Sequence, residues 1–286
     1  RRGMTDLDIG IGHPVTLEDL RFQAFLLSRV LPNLSVQMRT ALSGMYLAVE
    51  AMIPEEARDF DRGLDQHKAV MDLNYYRLLR LTRNLSAAAE LQRPGAEPQE
   101  DRDIAAEAAL VCQEAESLAR LLGLTLRFRC KESRHLCALR PDAVRELLMQ
   151  LLSNAFKFTP AGGEVTVSLE FSGGWALLQV ADTGRGIPEE RRQELFDRYY
   201  MTEQRDPPPY GLGLGLTICR RLAECHGGRM LAESQVGKGT RVTVMLPDRQ
   251  TGRMALSDRP VDYNGGFNPV LLGLADALPA KAFQDL

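Results

Sequence analysis

Apolar residues recur by threes and fours near the start of the chain: Leu27, Leu31, Leu34, Met38, Leu42, Met45, Val49 and Met52. That spacing lays one stripe along a helix. Thr16 stands where an N-cap would, with Asp19 in the capping-box place usually held by Glu or Gln. Pro54 and the acidic turn after it end the pattern, so it predicts a helix over 17–53. A second pattern, with Leu64, Met71, Tyr75, Leu78, Leu81, Leu85 and Ala88 on one side, predicts a helix over 55–92. Two long helices with a short connection form an antiparallel hairpin. A lone hairpin leaves its stripes open. Dimerisation into a four-helix bundle is the expected remedy, and packing on the rest of the chain is the alternative. One position breaks the pattern: at about 100° per residue, Val36 points away from the stripe, among Arg29, Asn33, Arg39, Thr40, Ser43 and Glu50.

The segment RPGAEPQED (93–101) punctuates the chain as a linker. Beyond it the periodicity predicts helices at 103–122, 141–157, 188–196 and 212–226. Strands are predicted near 124–130, 135–139, 164–171, 175–182, 228–234 and 240–247. That order predicts an α+β protein: a helical hairpin dimerisation domain followed by a two-layer α/β sandwich with a mixed sheet. The expected divisions are a loose, Gly-rich leader (1–13), the hairpin (14–93), a linker (94–102), the sandwich (103–248) and a tail (249–286). The tail holds a turn-like DYNGGFNP and the apolar VLLGLADALPAKAF, read as a docked helix or a partner-binding strip.

Composition narrows the partners. The 286 residues carry a net charge of −3, with 44% hydrophobic and 26% charged residues, which suits a globular protein and offers no general attraction for nucleic acid or an anionic membrane. No apolar run approaches the ~20 residues that span a bilayer, and no signal-peptide pattern is visible, so a cytoplasmic protein is expected. The five cysteines show no CxxC or Cys/His metal spacing, and reduced thiols are the expectation.

Four stretches could carry chemistry. In LLSNAFKFT (151–159), Asn154 and Lys157 share a helical face; an amide oxygen can complete a magnesium shell and an ammonium can meet a phosphate. In DTGRGI (182–187), the Asp182 carboxylate can accept from an exocyclic amine, and Gly184 and Gly186 let backbone approach a flat ring. GLGLGL (211–216) opens a helix, whose N-terminus favours phosphate. The loop FDRYYMTEQRDPPPY (196–210) lies between the last two, placed as a lid that its three prolines would stiffen. Each is weak alone.

Together, in this order and spacing, they resemble the ATP-binding catalytic domain of sensor histidine kinases, within the Bergerat-fold (GHKL) family that includes gyrase-type ATPases, Hsp90 and the mismatch-repair ATPases. LLSNAFKFTPAGGEVTV resembles the N box, DTGRGIP the first glycine box, LFDRYYM the F box and GLGLGLTICRRLAECHGG the second glycine box; SQVGKGTRVTVMLP resembles the end of the domain. The resemblance covers about 103–247 and implies ATP and Mg²⁺. It makes Asn154 the magnesium ligand, Lys157 a phosphate contact and Asp182 the adenine partner. Gly184, Gly186 and Ile187 would form the pocket floor. Tyr199 would be the F-box aromatic, and Gly211, Leu212, Gly213, Leu214 and Gly215 would line the phosphates. Gln150 departs from the Asn, His or acid often found there, and could reach magnesium only through water.

The hairpin resembles the dimerisation and phosphotransfer domain of the same kinases, whose H box reads histidine, acid, then Leu-Arg-Thr-Pro-Leu. Ser35-Val36-Gln37-Met38-Arg39-Thr40-Ala41-Leu42 aligns without gaps. Arg39, Thr40 and Leu42 match, Val36 replaces the phosphorylated histidine and Gln37 the acid. Valine has no lone pair to attack a γ-phosphate, and glutamine is no general base at neutral pH. His13, His67, His135 and His226 lie outside such a box. The resemblance implies a homodimer that works with a response-regulator receiver domain or a partner histidine kinase. It leaves several activities open: an ATP-binding pseudokinase, a receiver phosphatase using Gln37 and Thr40, a kinase acting on a histidine in another protein, or a slow ATPase.

Overall fold

The structure, a computed structural model, describes residues 31–53, 61–91, 99–188, 213–253 and 267–284. The expected helix start at 17–30, the helix at 188–196, the lid, Tyr199, Gly211 and Leu212 lie outside the described residues.

Helices α1 (Leu31–Met52) and α2 (Arg62–Glu90) lie side by side. Asp61 caps α2, its Oδ1 accepting from Gly63 N (2.8 Å) and Leu64 N (3.3 Å). The faces that meet differ from the stripes expected. Of the described stripe residues on α1, Leu42 is buried, whereas Leu34 (44% exposed), Met38, Met45 (65%) and Met52 (80%) face solvent. On α2, Met71 and Leu78 are exposed and Tyr75 is buried. The inner faces carry Leu42, Leu73, Tyr76 and Leu79 together with buried polar groups. Lys68 is enclosed, its Nζ 2.5 Å from Glu50 and 2.6 Å from Asp72, with the Tyr46 ring 5.0 Å away. A buried ammonium is tolerated when carboxylates surround it. Hydrophobic periodicity alone could not anticipate a polar inner face.

The second unit is a two-layer sandwich. Its five-stranded sheet has the order β2 (Thr125–Cys130), β4 (Glu164–Ser172), β5 (Trp175–Asp182), β7 (Gly239–Pro247), β6 (Arg229–Gln235), parallel between β2 and β4 and antiparallel elsewhere. Val165, Val167 and Leu169 of β4, Leu178 and Val180 of β5, and Val244 and Leu246 of β7 alternate onto one face, as a half-buried sheet requires. Helices α3 (Ile104–Leu121), α4 (Ala143–Phe158) and α5 (Gly215–Cys225) cover that face. A short strand β1 (Glu100–Asp103) pairs antiparallel with β3 (Leu136–Leu139). It overlaps the end of the stretch read as linker, where Pro and Gly mask a pairing with a strand more than 30 residues away. Asp101 ties this edge to the chain leaving β7, accepting from Thr251 N (2.6 Å), Thr251 Oγ1 (3.0 Å) and Gly252 N (2.8 Å).

The C-terminal segment docks across both units. Asn268 caps α6 (Pro269–Leu274), accepting from Val270 N and Leu271 N, and a 3₁₀ turn follows at Ala280–Phe283. Phe267 and Phe283 join Tyr46, Tyr75 and Tyr76 in one aromatic cluster, with ring centroids 4.7–6.2 Å apart. Arg77 of α2 donates to the carbonyls of Ala275 and Leu278, both at 3.3 Å.

His226, just after α5, is buried and held neutral. Its Nδ1–H donates to Leu222 O (2.7 Å) and its Nε2 accepts from Arg140 N (3.0 Å). Burial, foremost, holds its pKa below the usual 6.5. The neutral form is favoured by folding, so this stability is complete above the unfolded value and is lost as pH falls through the lowered folded value. Denaturation midpoints are expected to fall between pH ~7 and ~5, with a shallower slope in His226→Gln.

Candidate functional site

The site is built where α4 ends, β5 ends and α5 begins. Asp182 closes β5. Its Oδ1 accepts from Gly184 N (2.8 Å) and Thr240 N (3.2 Å), which fixes the carboxylate plane and leaves Oδ2 without a hydrogen bond among the described residues. Burial raises the Asp182 pKa and the two amides oppose the rise. The chain then turns tightly. A Cβ on Gly184 would stand 2.5 Å from Phe158 O, and one on Gly186, at φ +67°, would strike the Gln235 carbonyl. Arg185 N donates to Phe158 O and Ile187 N to Ser234 Oγ, so the loop is pinned between α4 and the β6–β7 turn.

Asn154 and Lys157 lie half-buried on α4. Gly213 takes φ +68°, Leu214 is buried and Gly215 begins α5. A Cβ on Gly215 would sit 3.1 Å from Gln150 Oε1 and 3.7 Å from Asn154 Nδ2, so the glycine stretch abuts the amides of α4. The structure thus brings Asn154, Gln150 and Gly215 together, and holds Asp182 with Gly184. These residues suit an adenine nucleotide: an unfilled carboxylate oxygen beside a backbone cradle that any side chain would fill.

Gln150 is held by α2 at both ends of its amide: its Oε1 accepts from Arg80 Nη2 (3.1 Å) and its Nε2 donates to Asn84 Oδ1 (2.7 Å). Arg80 itself is 5% exposed. Its Nε lies 3.2 Å from Asp276 Oδ2 of the C-terminal segment, an ion pair without hydrogen-bond angles, and among the described residues Nε and Nη1 have no hydrogen-bond partner. Burial lowers its pKa, and Asp276 works against that. Lys157 feels the same field: burial pulls its pKa down and Asp276 holds it up. Arg80, Asn84 and Asp276 were missed from the sequence. The signal was an arginine on the inner face of a helix, legible only once that face is known.

On α1, Val36 is 58% exposed, and Gln37, Arg39 and Thr40 are exposed beside it. Thr40 Oγ1 donates to Val36 O (3.0 Å).

Residues 140–250 match the family model described as "Histidine kinase-, DNA gyrase B-, and HSP90-like ATPase". The chain is 30% identical over 233 residues to the adaptive-response sensory kinase SasA of Synechococcus sp. (strain JA-2-3B'a(2-13)), covering 80% of this chain and 61% of that protein. It is 30% identical over 218 residues to the sensor protein SrrB of Staphylococcus aureus (strain N315), covering 75% and 37%. The chain therefore spans about three fifths or less of the length of these relatives. In fold it is similar to the full-length ShkA crystallised with AMPPNP, with a TM-score of 0.61 and 24% identity over 78% of this chain and 46% of that one. No helix among the described residues is long and apolar enough to cross a membrane.

Removing one partner of a buried pair strands the other charge. Asp276→Ala is expected to cost about 3–5 kcal/mol in chemical denaturation, and the double change Arg80→Met, Asp276→Leu less than that.

Proposed function

We propose, from the premise that this chain belongs to the sensor histidine kinases with a GHKL-type ATP-binding domain, that it binds ATP–Mg²⁺ and signals without phosphorylating itself at the H-box position. The observation that carries the reading is the pairing of a glycine turn after Asp182 that admits no side chain with an exposed valine where the acceptor would stand. Asp182 Oδ2 would accept from the adenine amine, over a floor of Gly184, Gly186 and Ile187. Asn154 would offer its amide oxygen to magnesium, and Lys157 would meet a phosphate. Gly211, Leu212, Gly213, Leu214 and Gly215 would turn backbone N–H groups toward the phosphates, with Tyr199 closing the adenine side. When bound, ATP supplies the transferable phosphoryl group. Without a ring nitrogen at position 36, the chain's own part is to bind it and alter the hairpin's setting.

The partners we infer are a second copy through the hairpin, whose Leu34, Met38, Met45 and Met52 stand exposed, and a receiver domain or partner histidine kinase. Five unpaired cysteines fit the reducing compartment where such partners work. A second reading, dephosphorylation of a receiver, is supported by the exposure of Gln37 and Thr40 on one helix. Thr40 gives its proton to Val36 O and so keeps lone pairs free to orient a water. Equal loss of receiver phosphate with wild type and Thr40→Ala would remove that reading.

Two outcomes test the main proposal. With radiolabelled ATP the wild type is expected to acquire no acid-labile label while Val36→His does; label on the wild type alone would overturn it. In Asp182→Asn, the two amides that hold Oδ1 select the amide oxygen for that place, so the NH₂ faces the adenine amine, donor against donor. Calorimetry is expected to show ATP affinity lowered by about 1–3 kcal/mol, roughly 5- to 150-fold.

A further inference from the structure

At the far edge of the sandwich from the nucleotide loops, three side chains that the proposed function does not use converge. His135 precedes β3, Cys137 lies within it two residues on, and Asp248 follows β7. His135 Nε2 is 2.8 Å from Asp248 Oδ1, Cys137 Sγ is 3.7 Å from the same oxygen, and all three donor atoms lie within 4.8 Å of one another. We propose that His135, Cys137 and Asp248 form a binding site for a thiophilic divalent cation of the zinc class.

The donor set selects such an ion. Imidazole, thiolate and a single carboxylate suit Zn²⁺, whereas Mg²⁺ and Ca²⁺ require shells of oxygen. With metal–ligand bonds of about 2.0–2.3 Å, tetrahedral ligands stand ~3.3–3.8 Å apart, so the atoms need small shifts to close on an ion. The backbone is fixed at each ligand. His135 N donates to Asp103 Oδ1 (3.1 Å) and Ile104 N donates to His135 O (3.0 Å). Ala138 N donates to Arg249 O and Asp248 N to Gly174 O, both at 2.8 Å. The imidazole is stacked on Phe171, with centroids 3.6 Å apart and planes at 19°. Held this way, the ligands are organised before an ion arrives.

Cys137 is fully buried, with the Asp248 carboxylate 3.7 Å from its Sγ. A dication beside a buried thiol favours the thiolate. Binding releases the thiol proton to solvent, forms bonds to Sγ, Nε2 and Oδ1, and breaks the His135–Asp248 hydrogen bond; no electron is transferred. His135 and Asp248 are each about one-quarter exposed, so a fourth position opens to water, the arrangement of three protein ligands plus solvent. Filled, the site would staple β3 to the exit of β7, beside the Asp101 contacts that hold Thr251 and Gly252.

Cobalt(II) reports the geometry directly. The full chain, stripped with chelator and titrated with Co²⁺, is expected to show a thiolate-to-cobalt charge-transfer band and visible bands of tetrahedral intensity, both displaced by Zn²⁺. Cys225→Ser, which changes an exposed thiol outside the site, should leave the spectrum unchanged. Cys137→Ala should abolish the charge-transfer band. His135→Gln, at a partly exposed position, should keep the metal-free denaturation midpoint and weaken Zn²⁺ binding in calorimetry by at least ~10–100-fold, the loss that follows removal of even an outer-sphere partner. Absence of the band in the wild type, its persistence in Cys137→Ala, or unchanged Zn²⁺ affinity in His135→Gln would each overturn the site.

Discussion

A buried guanidinium has to be compensated where it lies, and Arg80 is compensated by two parts of the chain far from it in sequence. Gln150 meets it from α4, and Asp276 from the C-terminal segment. Arginine stays charged under any ordinary condition, so lowering its pKa cannot relieve the cost of burial. The hairpin, α4 and the C-terminal segment therefore all meet at this side chain. The remaining compensation is incomplete: among the described residues, Nε and Nη1 have no hydrogen-bond partner. A junction satisfied this far and no further is less costly to reopen than an apolar interface of the same extent, because water would complete what the protein leaves unmade.

The same junction reaches the nucleotide site through two residues of α4. Gln150, one helical turn before Asn154, is held at both ends by α2, and a Cβ on Gly215 would press on Gln150 and Asn154 alike. Lys157, one turn onward, balances burial against the Asp276 carboxylate. The C-terminal segment thus acts by charge on an ammonium of α4, without any movement of the sheet.

Much of the sandwich was legible because its signals are local. Alternation places Val165, Val167 and Leu169 on one face, and Asp182-Thr183-Gly184-Arg185-Gly186 turns where no Cβ fits. The order of the glycine and asparagine stretches carries the resemblance on which the proposed ATP site rests. The hairpin was legible as two helices but not as to which faces meet. Its inner side buries Lys68, Asp72 and Arg80, residues that any hydropathy pattern assigns to solvent. β1 was read as linker since its pairing depends on β3 and on Thr251 and Gly252, all distant in sequence. His135, Cys137 and Asp248 have no motif spacing, and only the return of β7 beside β3 brings them together.

The polar interior of the hairpin also bears on the valine. Lys68 bonded to Glu50 and Asp72 fixes the register of α1 against α2, because a shift of one turn would part the ammonium from Glu50 and leave a buried charge alone. With much of the inner face spent on that register, Leu34, Met38, Met45 and Met52 of the apolar stripe stay exposed while Leu42 is buried. Val36 belongs to neither set. It is 58% exposed and lies beside Gln37, Arg39 and Thr40 on a face that α2 leaves open. A side chain exposed on a face that α2 leaves open contributes little to the packing of the helix pair, so the fold places little demand on which residue stands at position 36.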